Sequence, residues 1–98
     1  MKIKTLFGVR KVTDEAGREL NLAYYLTEDT REKVQEGPLY GAGIVKRSRE
    51  GEESEWLDGL SYLSSEVEEL LSRMMRGAVT PISMAAVADD FIGDTARA

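Results

Sequence analysis

Apolar residues between Ser64 and Ile92 recur on a helical period. Val67, Leu70, Leu71, Met74 and Met75 fall at i, i+3, i+4, i+7 and i+8, and Met84, Val87, Ala88, Phe91 and Ile92 repeat the spacing. Two short amphipathic helices are predicted. Ser65 with Glu68 fits a capping box, Arg73 and Arg76 suit the negative end of the first helix, and Gly77 is the expected left-handed terminator. Thr80 and Pro81 read as the cap and first position of the second helix. So short a connection predicts an antiparallel helical hairpin.

Upstream the period changes to two. Ile3, Thr5, Phe7 and Val9 alternate with Lys4, Leu6, Gly8 and Arg10, predicting a strand to about Val12. After a turn containing Gly17, Leu20, Leu22, Tyr24 and Leu26 share one face of a second strand, with Asn21, Ala23, Tyr25 and Thr27 on the other. Glu28 to Gly37 reads as an exposed polar loop, with room for one helical turn. A third strand runs from Leu39 to about Arg47. Its Gly41 and Gly43 share a face, leaving a trough on which a helix or a large aromatic ring could lie directly. Glu50 and Gly51 turn the chain into a fourth strand near Glu55 to Ser61, with Trp56 and Leu60 on one side and Leu57 and Gly59 on the other. A loop leading into the helix is the alternative for this last segment.

The expected fold is α+β: a small antiparallel sheet of three to four strands covered by the C-terminal helical hairpin. One domain is expected over 1–98, with the sheet in 1–63, the helices in 64–93 and a frayed tail at 94–98. Leu71 belongs at the centre of the sheet–helix contact.

Composition narrows the chemistry. The chain has no histidine and no cysteine. The commonest general base is therefore missing, together with thiol catalysis, thiolate metal sites and disulfides. No serine sits in a nucleophile-elbow setting, and Gly41 and Gly43 lie within a strand, not in a phosphate loop. Catalysis is not expected, and no cofactor is implied. No apolar run is long enough to span a membrane, and Met1 to Lys11, broken by Lys4 and Arg10, does not read as a secretory signal. A reducing cytoplasm is the default compartment.

The net charge of −5 is unevenly spread: residues 1–49 carry ten Lys/Arg against seven Asp/Glu, and residues 50–98 three against eleven. Complementary halves of one domain account for this, and a face that attracts a charged partner is the sharper reading. An antiparallel hairpin would also gather Glu66, Glu69, Asp89, Asp90 and Asp94 at one tip, either as a cation site or as a solvated acidic face.

Tyr24-Tyr25-Leu26, Leu39-Tyr40-Gly41-Ala42-Gly43-Ile44, Ser64-Ser65 before a leucine-rich helix, and Thr80-Pro81 before Asp89-Asp90-Phe91-Ile92 resemble a group of small uncharacterised bacterial proteins. That group is known as a domain of unknown function. The resemblance covers roughly residues 20 to 92 and implies a bacterial cytoplasmic origin. It carries no activity, cofactor or catalytic residue with it.

Two binding classes remain. The first is a small protein-interaction or regulatory module with an unidentified protein partner. Met74 and Met75 would supply adaptable apolar surface, with Tyr25 and Tyr40 as aromatic contacts and a homodimer as a supplement. The second is a nucleic-acid-binding regulator using Arg10, Lys11, Lys46, Arg47 and Arg49 at the strand ends, with Tyr24, Tyr25 and Tyr40 as a stacking platform. Overall acidity and the interleaved Glu50, Glu52 and Glu53 weigh against the second.

Overall fold

A computed structural model describes residues 2–30 and 37–97. Four strands, β1 (Lys2–Thr13), β2 (Glu19–Asp29), β3 (Leu39–Ser48) and β4 (Gly51–Ser61), form one antiparallel sheet in chain order. Two helices follow, α1 (Ser64–Arg76) and α2 (Met84–Arg97), separated by a 3-10 turn over Pro81–Ser83. The fourth strand forms and is longer than the sequence pattern predicts. α2 continues past Gly93, where a frayed tail is expected. The predicted loop splits: Glu28 and Asp29 belong to β2, and 31–36 lie outside the described residues.

Local chemistry sets the turns. Asp14 accepts the backbone N–H groups of Arg18 and Ala16, and Gly17 takes a positive φ of 80° that closes the β1–β2 connection. The Arg18 amide is the main reason the Asp14 carboxyl is held below its ordinary range. β3 and β4 join through Arg49 and Glu50, with Ser48 paired to Gly51.

The core lies between the sheet and α1. Leu22, Tyr24, Ala42 and Ile44 from the sheet meet Val67, Leu70, Leu71 and Met74 from α1, and Met84 and Ala88 from α2. Of the four residues predicted to share one face of β2, Leu22 and Tyr24 lie in this core and Leu26 packs against it, while Leu20 is only half-buried beyond it, and Leu71 is 0% exposed at the centre.

Two bulges reassign faces. Leu6 pairs with Tyr25 and Gly8 with Tyr24, so Phe7 is an extra residue in β1. Ile3 and Thr5 therefore share the helix-covered side, and Val9 moves to the opposite one. Between β3 and β4, Tyr40 pairs with Ser61 but Ala42 with Leu57, so Asp58, Gly59 and Leu60 stand against Gly41 alone. This bulge turns Leu60 inward to pack on the core beside Leu57, away from the side of Trp56.

Helix ends differ from expectation by about one residue. No capping box forms at α1, whose cap is Leu63 without a side-chain bond. Ser61 acts instead: its hydroxyl donates to Glu66 at 2.7 Å and accepts the Leu63 N–H at 3.0 Å. At the other end Gly77 has φ −86°, and Ala78 at φ 51° is the left-handed residue. Val79 N–H to Met74 C=O and Ala78 N–H to Met75 C=O complete a Schellman motif around it. Alanine is strained at that φ, so Ala78→Gly should raise stability by about 0.5–1 kcal/mol in thermal or urea unfolding. Thr80 and Pro81 open the 3-10 turn instead of α2 itself, with no side-chain cap bond.

Candidate functional site

The helices cover one face of the sheet and leave the other uncovered. On that open face the strand pairings align Leu6, Tyr25, Gly43 and Trp56 in one row, with Val9, Ala23, Val45 and Ser54 in the next. Lys11, Asn21, Arg47 and Glu52 form a third row towards the hairpin turns. Leu6 is 53% exposed and Val9 67%, both among the exposed large apolar side chains.

At the centre an aromatic platform is built on glycine. The Trp56 ring lies so close to Gly43 that a Cβ there would overlap its ring carbons. The trough predicted from the paired glycines is thus filled by an aromatic ring of the same sheet. Tyr25 stands beside it with ring centroids 5.5 Å apart at 45°, and the Lys4 ammonium sits 4.1 Å over the indole. Lys2 reaches Asp58 at 2.6 Å, so the first and last strands approach over this face at the Lys4 end. Thr27 and Val45, whose side chains belong to this face, are buried. Towards the hairpin turns the face is open, with a 250 Å³ depression over Ala23 and Val45, rimmed by Val9, Arg10, Lys11 and Arg47.

Of the residues predicted for partner contact, only Tyr25 lies on this face. Met74 is fully buried in the core, and Met75 packs from α1 onto Gly8, because methionines at helical spacing follow the apolar stripe inward. Tyr40 lies on the helix-covered side, packed against the core. Trp56, Lys4, Leu6 and Val9 carry the open face, and sequence reasoning did not single them out as a surface. Trp56 opposite the paired glycines was the one usable signal.

The predicted basic group is divided as well. The Arg10 guanidinium donates to the carbonyls of Met75 and Arg76, satisfying the C-terminal end of α1 with a positive charge where the helix dipole favours one. Lys11 pairs with Glu19, Lys46 with Glu53 and Arg47 with Glu52, the last two directly across β3 and β4. Arg47 and Arg49 line a 440 Å³ surface depression together with Arg18, which is itself bound to Asp14 and Glu50. The stacking platform does not assemble, since Tyr24 and Tyr40 face the helices.

At the acidic tip Glu66 is tied to Ser61 and Glu69 to Arg73. Asp89 and Asp90 are exposed, and Asp94 lies where only the backbone is described. Among the described residues no three potential metal ligands converge, and no helix is long and apolar enough to cross a membrane.

Tyr24 ties the sheet to the helix connection. Its hydroxyl donates to the Val79 carbonyl at 2.9 Å, and burial pushes the phenol up to about 12, with the nearby Arg10 charge opposing. Unfolded, the phenol titrates near 10. Its contribution is therefore complete below pH 10 and is lost as the pH rises from about 10 to 12, because the unfolded chain has released a proton that the folded one retains. The loss should be on the order of 2–3 kcal/mol. Urea unfolding at stepped alkaline pH should show it, and Tyr24→Phe should remove that component of the slope.

No curated protein and no solved structure is detectably similar to this chain. One family model matches, over residues 3–94, taking in β1 as well as the segments that carry the sequence resemblance. The family has no assigned function, and by a match spanning its four strands and both helices the chain belongs to the family of unknown function DUF6514.

Proposed function

We propose that this protein is a small non-enzymatic interaction module, located in the cytoplasm, that docks a protein partner on the open face of its sheet. One observation carries the reading: Leu6 and Val9 stay more than half exposed next to the Tyr25–Trp56 pair, on a face no helix covers. Contiguous apolar and aromatic surface rimmed by charge marks docking sites on soluble domains. The helices work only as the backing layer. In this reading they lie antiparallel, supported by Glu66, Val67 and Leu70 near the start of α1 lining one pocket with Phe91 and Ile92 of α2.

The test is affinity capture with mass spectrometry, comparing the wild type with Leu6→Arg and Val9→Arg. Both changes fall on exposed side chains, so folding should be preserved, as circular dichroism would verify. Partners lost from both variants support docking on this face. Capture unchanged by either substitution defeats it. Nucleic acid in the eluate, released by salt, would favour the basic strand ends instead.

A further inference from the structure

The open face is divided along its length. Towards the hairpin turns it is accessible around Val9 and Ala23, and at the other end the chain's own edges close over it. The strand pairings put Lys2, Lys4 and Leu6 of β1 on this face, opposite Asp29, Thr27 and Tyr25. Both lysines end on β4, Lys4 over the Trp56 indole at 4.1 Å and Lys2 on Asp58 at 2.6 Å. β1 and β4 are opposite edges of the sheet. Lying flat, they would be about 14 Å apart, farther than an extended lysine and an aspartate reach together. The sheet therefore curls at this end.

Glycine and two bulges explain the curl. A Cβ at Gly41 would overlap the Leu57 carbonyl and meet Asp58 Cα, so β4 folds inward over β3 where that side chain is missing. The insertion opposite Gly41 carries Asp58 over the face, and Trp56 fills the space above Gly43. This side is packed in place. The β1 side is not. Lys2 to Leu6 are all exposed, on an edge strand paired to one neighbour. The Phe7 bulge separates them from the rest of β1, where Arg10 is fixed to the end of α1 through the Met75 and Arg76 carbonyls. One half of the strand is anchored to a helix, and the other is held across the face by two cation contacts.

We propose that β1 from Lys2 to Leu6 is an autoinhibitory strap, fastened by Lys2 on Asp58 and Lys4 on Trp56, which covers the Tyr25–Trp56 pair and must be released before a partner docks across the whole face. Its inhibitory role rests on the docking reading above; its closure does not. Phe7 is the hinge, because the pairing with β2 is already interrupted there. The ion-pair fastener is open to solvent, with the Lys2 side chain 37% and that of Asp58 52% exposed. Exposed contacts of these two kinds shift a two-state balance by only about two- to fivefold each. A strap held so weakly opens readily, and a partner that contacts the uncovered pair captures the open form.

Acrylamide quenching of Trp56, the only tryptophan, follows the strap without any partner. Lys2 and Asp58 bind each other, not the indole, so a Lys4 merely resting on the ring would leave quenching unaltered in Lys2→Gln and Asp58→Asn. Each should instead raise the quenching constant about twofold, with circular dichroism unchanged. Exchanging the charges, Lys2→Asp with Asp58→Lys, should restore the wild-type value. Amide hydrogen exchange locates the motion: in Asp58→Asn it should speed up about two- to fivefold at the protected amides from Ile3 to Leu6 and stay unchanged from Val9 to Thr13. Unaltered quenching in both single variants, a swap that fails to restore it, or faster exchange along the whole of β1 overturns the strap. Capture supplies the second arm. Of the proteins lost from both Leu6→Arg and Val9→Arg, Asp58→Asn should retain at least twice the wild-type amount, and equal retention overturns the inhibitory role. If those arginine variants lose none, the docking reading fails, and quenching still decides the strap.

Discussion

Leu71→Asp should abolish the folded state. Leu71 is completely buried where α1 crosses the sheet, among Leu22, Tyr24, Ala42, Ile44 and the apolar stripe of its own helix. No basic residue belongs to that cluster. An ionised carboxylate there would be desolvated without a partner, at several kcal/mol beyond the lost packing. A domain of this length has a total stability of about 5–15 kcal/mol. The expected result is loss of the cooperative thermal transition and of most far-UV circular dichroism signal at neutral pH. Leu71→Ala separates charge from volume: it should cost about 2–5 kcal/mol and leave a folded domain with a lower melting temperature. A Leu71→Asp protein that melted like the wild type would remove the sheet–helix core from this description.

Gly43→Val should have the next largest effect, and on the other face. A branched side chain at 43 would occupy the space of the Trp56 ring, so either the ring leaves or the strands part. Overpacking of this kind typically costs about 1–3 kcal/mol. Because Trp56 is the only tryptophan, its emission reports the event directly. The indole now rests on the Gly43 backbone between Tyr25 and Lys4, and displacement into water should shift its fluorescence to the red. Docking on the open face should weaken in parallel. Unchanged emission together with unchanged stability would mean that the ring does not rest on this glycine. A red shift with little loss of stability would locate the role of Gly43 in shaping the surface.

The elements themselves were legible from the chain. The helical stripe from Val67 to Met75 predicted α1 and its buried face, because a 3.6-residue period puts those side chains on one side whatever they pack against. Leu20, Leu22, Tyr24 and Leu26 identified the inner face of β2 by the same reasoning with a period of two. Face assignment failed where the chain departs from regularity. Alternation presumes an unbroken pleat, and the extra residue at Phe7 and the insertion opposite Gly41 each reverse it. Val9 and Leu60 consequently exchanged sides relative to expectation. The helix caps were missed for a related reason. Gly77 has the composition of a left-handed terminator, but the chain turns at Ala78, where Val79 comes to face the Tyr24 hydroxyl.

Site prediction from residue type was less informative. Methionines and arginines suited a surface by their chemistry, yet Met74 completes the core and Arg10 closes the end of α1. Residue type limits what a side chain can do without choosing among the neighbours that would use it.

Taken by itself, the amino-acid order determined an α+β chain with no histidine or cysteine chemistry, two amphipathic helices and strands rich in alternating apolar residues. Those properties follow from local periodicity and composition. Which face of the sheet stays uncovered, and that Leu6, Val9, Tyr25 and Trp56 meet on it, was decided only in three dimensions. Strand pairing and bulges join residues tens of positions apart, and a shift of one residue in register sends a side chain to the opposite face.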